Sequence, residues 1–276
     1  MRVHYLKMHG AGNRILVVDQ RHDDLSPPNA DALQMLADES SGPGFDQLMW
    51  VTAAENKGHA AKYRVFNADG SEVEQCGNGV RCVARMLASE SPDKRSLLLE
   101  SPAGIVEARI LGAELFSINM GAPEFEPASI PFVADEAALR YLLEVDGQQY
   151  DVAVLSMGNP HCVLEVDDVN DAPVDRLGPL IEHHERFPQR ANAGFMAIVD
   201  RNTIELRVHE RGVGETLACG TGACAAAVAG RRLGLLEEEI TVHLPGGQLV
   251  VSWRGGTDPV WLTGNAELIS EGSMDL

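Results

Sequence analysis

Residues Leu206–Gly222 read LRVHERGVGETLACGTG, and residues Tyr63–Gly79 read YRVFNADGSEVEQCGNG. The two stretches align without a gap at an offset of 143, from Tyr63 to Leu206. Six of the seventeen positions are identical: Arg64/Arg207, Val65/Val208, Glu72/Glu215, Cys76/Cys219, Gly77/Gly220 and Gly79/Gly222. Each copy runs from a β-rich segment through a turn into a small-residue helix, so each cysteine falls at a helix N-terminus. Other landmarks recur in the same order, Gly12-Asn13 with Gly158-Asn159 and Gly44-Phe45 with Gly194-Phe195. A gene duplication explains the pattern, and two thiols are expected to face one cleft.

The helices Val80–Ala88 and Ala223–Ala229 carry Ala, Val, Cys, Leu and Met on most faces. Helices of that kind are enclosed rather than laid on a surface. Around the first, Tyr5–Met8, Ile15–Asp19, Phe45–Trp50, Lys62–Asn67, Leu97–Glu100, Ile105–Leu111 and Leu115–Asn119 read as strands. Around the second, Leu142–Val145 and Tyr150–Leu155 flank an Asp146-Gly147 hairpin turn. Ile204–His209, Ile240–Leu244, Leu249–Trp253 and Val260–Thr263 follow as strands. Ala30–Asp38, preceded by Ser26-Pro-Pro-Asn29 with its cap and prolines, and Asp175–His184 read as a matching pair of further helices. A curled antiparallel sheet around a small-residue helix is therefore expected once in each half.

A chain of 276 residues can bury one large core or two ordinary ones. Its 22 basic and 41 acidic side chains give a net charge of −19, which argues against a phosphate-backbone partner. No apolar run reaches membrane-spanning length, and the start MRVHYLKMHG lacks a signal peptide's apolar stretch. Five cysteines, an odd number, read as reduced thiols in a cytoplasm rather than a disulfide framework.

Glycine at one and three residues past each cysteine lets the backbone turn tightly and aims N–H groups beside the sulfur. A helix N-terminus favours thiolate and carboxylate alike. Two such termini face to face would share one carboxylate, with a thiol on either side of the neighbouring carbon. A base then removes a proton from one face and an acid returns one to the other. The implied substrate is an α-amino acid whose carboxylate takes the Gly77, Asn78, Gly220 and Thr221 amides, where enediolate-like charge is stabilised. The four lysines, Lys7, Lys57, Lys62 and Lys94, lie away from the cysteine motifs and offer no Schiff base. No cofactor is expected, and no ligand spacing indicates a metal. Cys82, Cys162 and Cys224 read as core thiols, His183-His184 as solvated, and Glu72 as an acidic residue favouring the following helix.

The chain resembles the diaminopimelate epimerase family. The motifs that carry the likeness are Phe66-Asn-Ala-Asp-Gly-Ser71, Gln75-Cys-Gly-Asn-Gly79, Met157-Gly-Asn-Pro-His161 and Arg190-Ala-Asn192 with Gly194-Phe-Met196. Glu210-Arg-Gly-x-Gly-Glu-Thr216, Ala218-Cys-Gly-Thr-Gly222, Leu244-Pro-Gly-Gly247 and Leu262-Thr-Gly264 add to it, so it spans essentially the whole chain. The resemblance implies cofactor-free interconversion of LL- and meso-diaminopimelate, on the route to lysine and peptidoglycan. It marks Cys76 and Cys219 as the acid/base pair. It places Gly77, Asn78, Gly220 and Thr221 on the reacting carboxylate. Asn13, Gln47, Asn67, Asn159, Asn192, Glu210 and Arg211 would bind the remaining polar groups, and His161 and Glu210 would tune the cysteines. The implied fold is α/β (α+β), two pseudo-symmetric domains each with a curled, mostly antiparallel sheet around a central helix. Residues 1–119 plus 264–276 would form one lobe and 120–263 the other.

Two positions depart from the family pattern. Asn13 is followed by Arg14-Ile15 rather than Asp-Phe, which adds a positive charge near the cleft mouth, and Ser270 replaces an aromatic before Glu271-Gly272. The expected partners are the small-molecule substrate alone, with no nucleic acid and no membrane; a homodimer is left open. Three rival readings remain: a proline-type racemase, a thiol redox protein using Cys76 and Cys219 as a couple, and a non-catalytic amino-acid-binding module.

Overall fold

The computed structural model describes residues 2–23, 25–73 and 76–276. The chain divides into two compact units, Met1–Asn119 with Thr263–Leu276, and Met120–Leu262.

The first unit holds strands β1 (Arg2–Gly10), β2 (Asn13–Gln20), β3 (Gln47–Thr52), β4 (Ala61–Asn67) and β5 (Glu72–Val73), with helix α1 (Ala30–Ala37) between β2 and β3. Helix α2 (Gly77–Glu90) follows, then β6 (Ser96–Ser101), β7 (Gly104–Ile110) and β8 (Leu115–Asn119). The pairing along this sheet is β1–β2 antiparallel, β2–β3 parallel, β3–β4 antiparallel, β4–β6 parallel and β6–β7 antiparallel. Helix α2 packs against β1, β2 and β3 and also against β7 and β8, strands well separated in that order, so the sheet curls around it. Every residue of α2 from Gly77 to Ala84 is buried, as expected of an enclosed helix.

β2 explains the second layer. Ile15, Leu16, Val17 and Val18 are all at most 1% exposed, so both faces of the strand are covered. Leu16 and Val18 join Leu48, Trp50 and Phe66 in a cluster with Leu33 and Leu36 of α1. Helix α1 is capped by Asn29, whose side chain accepts from Ala32 N at 2.9 Å.

The second unit holds β9 (Tyr141–Val145), β10 (Gln148–Ser156), β11 (Pro160–Glu165), helix α3 (Val174–Glu182), β12 (Asn192–Asp200), β13 (Thr203–Glu210) and β14 (Gly214–Thr216). Helix α4 (Gly220–Arg232), β15 (Glu239–Leu244), β16 (Gly247–Ser252), β17 (Trp261–Asn265) and β18 (Glu267–Asp275) complete the chain. β10–β11 are antiparallel, β11–β12 parallel, β12–β13 antiparallel, β13–β15 parallel and β15–β16 antiparallel. That alternation is the one found from β1 to β7, so the two units repeat one topology. Helix α4 is lined by β10, β11, β12, β13, β15 and β16. β17 straddles the division, and β18 pairs antiparallel with β1 in the first unit.

The repeated Arg and Glu have a common use. Arg64 on β4 grips Glu72 on β5 through Nε and Nη2, both at 2.7 Å. Arg207 on β13 grips Glu215 on β14 in the same way, at 2.6 and 2.9 Å. Glu72 is therefore an ion-pair partner across a hairpin, not the helix-favouring acid expected of it. The Asp146-Gly147 turn has φ of 54° and 72°, the left-handed pair a tight hairpin needs. Pro160-His161 belongs to a strand rather than a loop; proline stands at its first position, where no ladder donor is lost. His184 is not simply solvated, since its Nε2 bonds Glu144 O at 2.9 Å.

Candidate active site

In the first unit Cys76 is the N-cap of α2, with extended backbone (φ −142°, ψ 109°) and its sulfur accepting from Gly79 N at 3.4 Å. Glycine three residues on keeps the helix close to β3, because a Cβ there would lie 2.4 Å from Met49 Sδ. Gly77 and Asn78 form the first turn, where backbone N–H groups have no intrahelical acceptor and the helix dipole is positive.

A row of amides leads away from the sulfur. Asn13 Nδ2 lies 4.0 Å from Cys76 Sγ and donates to Gln47 Oε1 at 3.4 Å. Gln47 Nε2 donates to Asn67 Oδ1 at 2.9 Å, and Asn67 Nδ2 to Ser71 Oγ at 3.1 Å. These residues start β2, start β3 and end β4, and the ladder places Gln47 opposite both Ile15 and Asn67. Asn78 is 2% exposed, and its Oδ1 accepts from the buried Arg81 at 2.7 Å. Gln75, which belongs to the cysteine motif, lies outside the described residues.

Arg14 does not add unbalanced positive charge. Its guanidinium meets Asp46 at 2.8 Å and Glu39 at 2.6 Å, and its backbone N–H donates to Asp46 Oδ2 at 2.8 Å. Arg14 and Asp46 thereby clamp together the two strands that carry Asn13 and Gln47.

In the second unit Cys219 is the N-cap of α4 with nearly the same backbone (φ −114°, ψ 111°), and its sulfur accepts from Gly222 N at 3.3 Å. It is 4% exposed. Burial, and after it the charge of Glu210, push this thiol well above its usual pKa, so Cys219 keeps its proton. Burial likewise raises Glu210, although bonds from Thr216 and Cys219 oppose the shift. Thr216 Oγ1 donates to Glu210 Oε1. The Thr221 hydroxyl stands 3.5 Å from Cys219 Sγ.

Asn159 Nδ2 donates to Thr221 Oγ1 at 3.4 Å, and Asn159 Oδ1 bonds His161 Nε2 at 2.9 Å. His161 is 1% exposed, and burial, then the nearby Arg211 charge, hold it down at about 3, so the ring is neutral. Its link to the thiol runs through Asn159 and Thr221. Asn192 is 2% exposed; its Nδ2 donates to Pro160 O at 2.9 Å and its Oδ1 accepts from Arg211 N at 3.0 Å. Arg211 itself is exposed, with Nη1 on Gln189 O at 3.1 Å.

Asn13, Gln47, Asn67 and Cys76 thus form one connected group in the first unit. Asn159, His161, Glu210, Cys219 and Thr221 form another in the second, with Asn192 and Arg211 bonded to each other. Cys82, Cys162 and Cys224 are fully buried core thiols, and burial pushes Cys82 up to about 12. Among the described residues, which include all five cysteines, no disulfide forms. Sequence reading missed Arg81, Asp46, Glu182 and His209. Arg81, a charge in the enclosed first half of α2 among small and apolar residues, was the one with a visible signal. Among the described residues no helix is long and apolar enough to cross a membrane.

The family described as diaminopimelate epimerase matches residues 5–126 and 153–269. A diaminopimelate epimerase of Pseudomonas entomophila (strain L48) is 51% identical over 279 residues, covering 100% of each chain. That of Ectopseudomonas mendocina (strain ymp) is 48% identical with the same coverage. Among solved structures, a hydroxyproline epimerase from Agrobacterium vitis with bound trans-4-hydroxy-L-proline aligns with a TM-score of 0.73 at 13% identity. The alignment covers 99% of this chain and 92% of that one, a likeness of fold.

Proposed function

The chain belongs to the diaminopimelate epimerase family, and from that premise we propose that it interconverts LL- and meso-diaminopimelate without a cofactor, Cys76 and Cys219 acting as the acid/base pair. One observation supports the pairing above the others: each unit presents a sulfur as the N-cap of an enclosed helix, in matching backbone conformation.

In the reaction, a thiolate takes the α-hydrogen as a proton. The electron pair left on carbon delocalises into the carboxylate, and the enediolate-like charge rests on the N–H groups of Gly77, Asn78, Gly220 and Thr221. The opposite thiol then gives its proton to the other face of the carbon and becomes the thiolate. No atom is gained or lost apart from the exchanged hydrogen. Burial keeps Cys219 protonated, as the donor half of such a pair requires, and Glu210 and the neutral His161 shape its surroundings.

Diaminopimelate carries a second zwitterionic end. Arg211 suits its carboxylate, since a guanidinium has five donors and Gln189 O takes one of them. Asn13, Gln47, Asn67, Asn159 and Asn192 supply neutral donors and acceptors for the remaining polar groups. The enzyme acts on this small molecule in the cytoplasm, with no nucleic-acid partner, consistent with a net charge of −19. The lobes of the duplication are read as residues 1–119 plus 264–276 and 120–263, one residue from the division of the compact units, which puts Thr263 with the first. A proline-type racemase shares the fold but needs no cation for a second carboxylate, so assay of LL-diaminopimelate against proline separates the two.

The test is hydrogen exchange from deuterated water in Cys76→Ala and Cys219→Ala. Each change is expected to lower epimerisation by at least about 10²-fold, the contribution of one positioned acid or base. Wild-type turnover in either variant would falsify the two-thiol mechanism.

A further inference from the structure

The second unit contains a buried ionic group that the proposed reaction does not use. Glu182, the last residue of α3, has a side chain only 5% exposed. Its Oε2 accepts from His209 Nε2 at 2.9 Å, and His209 is itself only 9% exposed. Its Oε1 accepts from Gly212 N at 2.8 Å and from Arg190 Nη1 at 3.4 Å. A carboxylate this deep is costly unless its lone pairs are filled, and here they are. Burial raises its pKa, but the bonds from His209 and Gly212 outweigh that and hold it below the usual range, so it is ionised.

What the group holds is the turn between β13 and β14. Glu210 pairs with Gly214, so Arg211, Gly212 and Val213 form the tip. Gly212 and Gly214 both have positive φ, 77° and 97°, a backbone that many conformations compete for. Two consecutive N–H groups of this tip are fixed from outside: Arg211 N by Asn192 Oδ1 at 3.0 Å, and Gly212 N by Glu182. His209 is held just as firmly, because a Cβ on Gly178 would lie 2.5 Å from its Cγ. The α3 backbone comes this close only because residue 178 is glycine.

We propose that Glu182 and His209 are positioning residues for Arg211, fixing the tip so that the guanidinium meets the substrate's distal carboxylate. The proposal rests on the reading of Arg211 given above. Glu182 touches no substrate; it acts through the Gly212 amide. An amide in its place supplies one acceptor oxygen where His209 and Gly212 use two.

Glu182→Gln and Glu182→Ala are compared with wild type for KM and kcat with LL-diaminopimelate, each also in an Arg211→Ala background. Loss of one or both acceptors is expected to raise KM about 5-fold in Glu182→Gln and about 10-fold in Glu182→Ala, with kcat within about 3-fold. In the Arg211→Ala background neither change adds more than about 2-fold, because the residue being positioned is gone. Unchanged KM in folded Glu182→Gln, which keeps the side chain's size, overturns the proposal. So does a full multiplicative loss in the Arg211→Ala background, which places the effect elsewhere. If Arg211→Ala alone leaves KM unaltered, the assignment of Arg211 itself falls, and this inference falls with it.

Discussion

His161 shows how burial turns one side chain into a condition on the whole protein. In the unfolded chain its ring titrates near the ordinary histidine value of about 6.5, whereas in the folded protein it is held at about 3. Between those values the unfolded state binds the extra proton. The stabilisation is therefore complete above about pH 6.5 and is lost as pH falls toward 3, with a slope of up to about 1.4 kcal/mol per pH unit. Urea melts from pH 7 to pH 4 should show that slope, and His161→Asn should flatten it; an equally steep variant would place the titration in another group. The neutral ring also fits its bond to Asn159, which adjoins the Thr221–Cys219 pair. The thiols themselves were legible at this scale, because a cysteine followed by glycines one and three residues later is local chemistry. The partners of Glu72 and Arg14 were not, since an acidic residue before a helix suits a cap and an ion pair equally well.

Gly178 makes an argument about an element. Alanine would gain about 1 kcal/mol of helix propensity, but its Cβ would stand 2.5 Å from the His209 ring, which cannot retreat. Overpacking at such a contact costs about 1–3 kcal/mol and wins. Gly178→Ala should lower the urea midpoint; an unchanged or higher midpoint would mean that α3 shifts freely on β13. Helices α2 and α4 were readable as enclosed elements because small and apolar residues cover most of their faces. Helix α3 begins one residue earlier and ends two residues sooner than its sequence expectation of 175–184. Its end is set by where Glu182 meets β13 and the following turn, not by propensity.

For the molecule as a whole, a charge of −19 opposes compaction. Most of the ion pairs are exposed and worth about 0–1 kcal/mol each, so excess acidic repulsion dominates the response to salt. Raising ionic strength from about 0.01 M to about 0.15 M shortens the screening length from about 30 to about 8 Å. Tm should rise over that range, and a fall would show that the attractive pairs outweigh the repulsion. Thiol oxidation should abolish epimerisation and a reductant should restore it; activity that increases with oxidation would favour a redox couple instead.

The duplication, the enclosed helices and both N-cap cysteines were determined by the sequence alone, because periodicity and capping chemistry are written over a few neighbouring residues. Only the tertiary structure decided which amides stand in line with Cys76 and which groups grip the Arg211 turn. Asn13 reaches Gln47 across 34 residues and Cys76 across 63, and His209 reaches Glu182 across 27. Contacts of that span are set by strand register and by parallel crossovers, which no local pattern encodes.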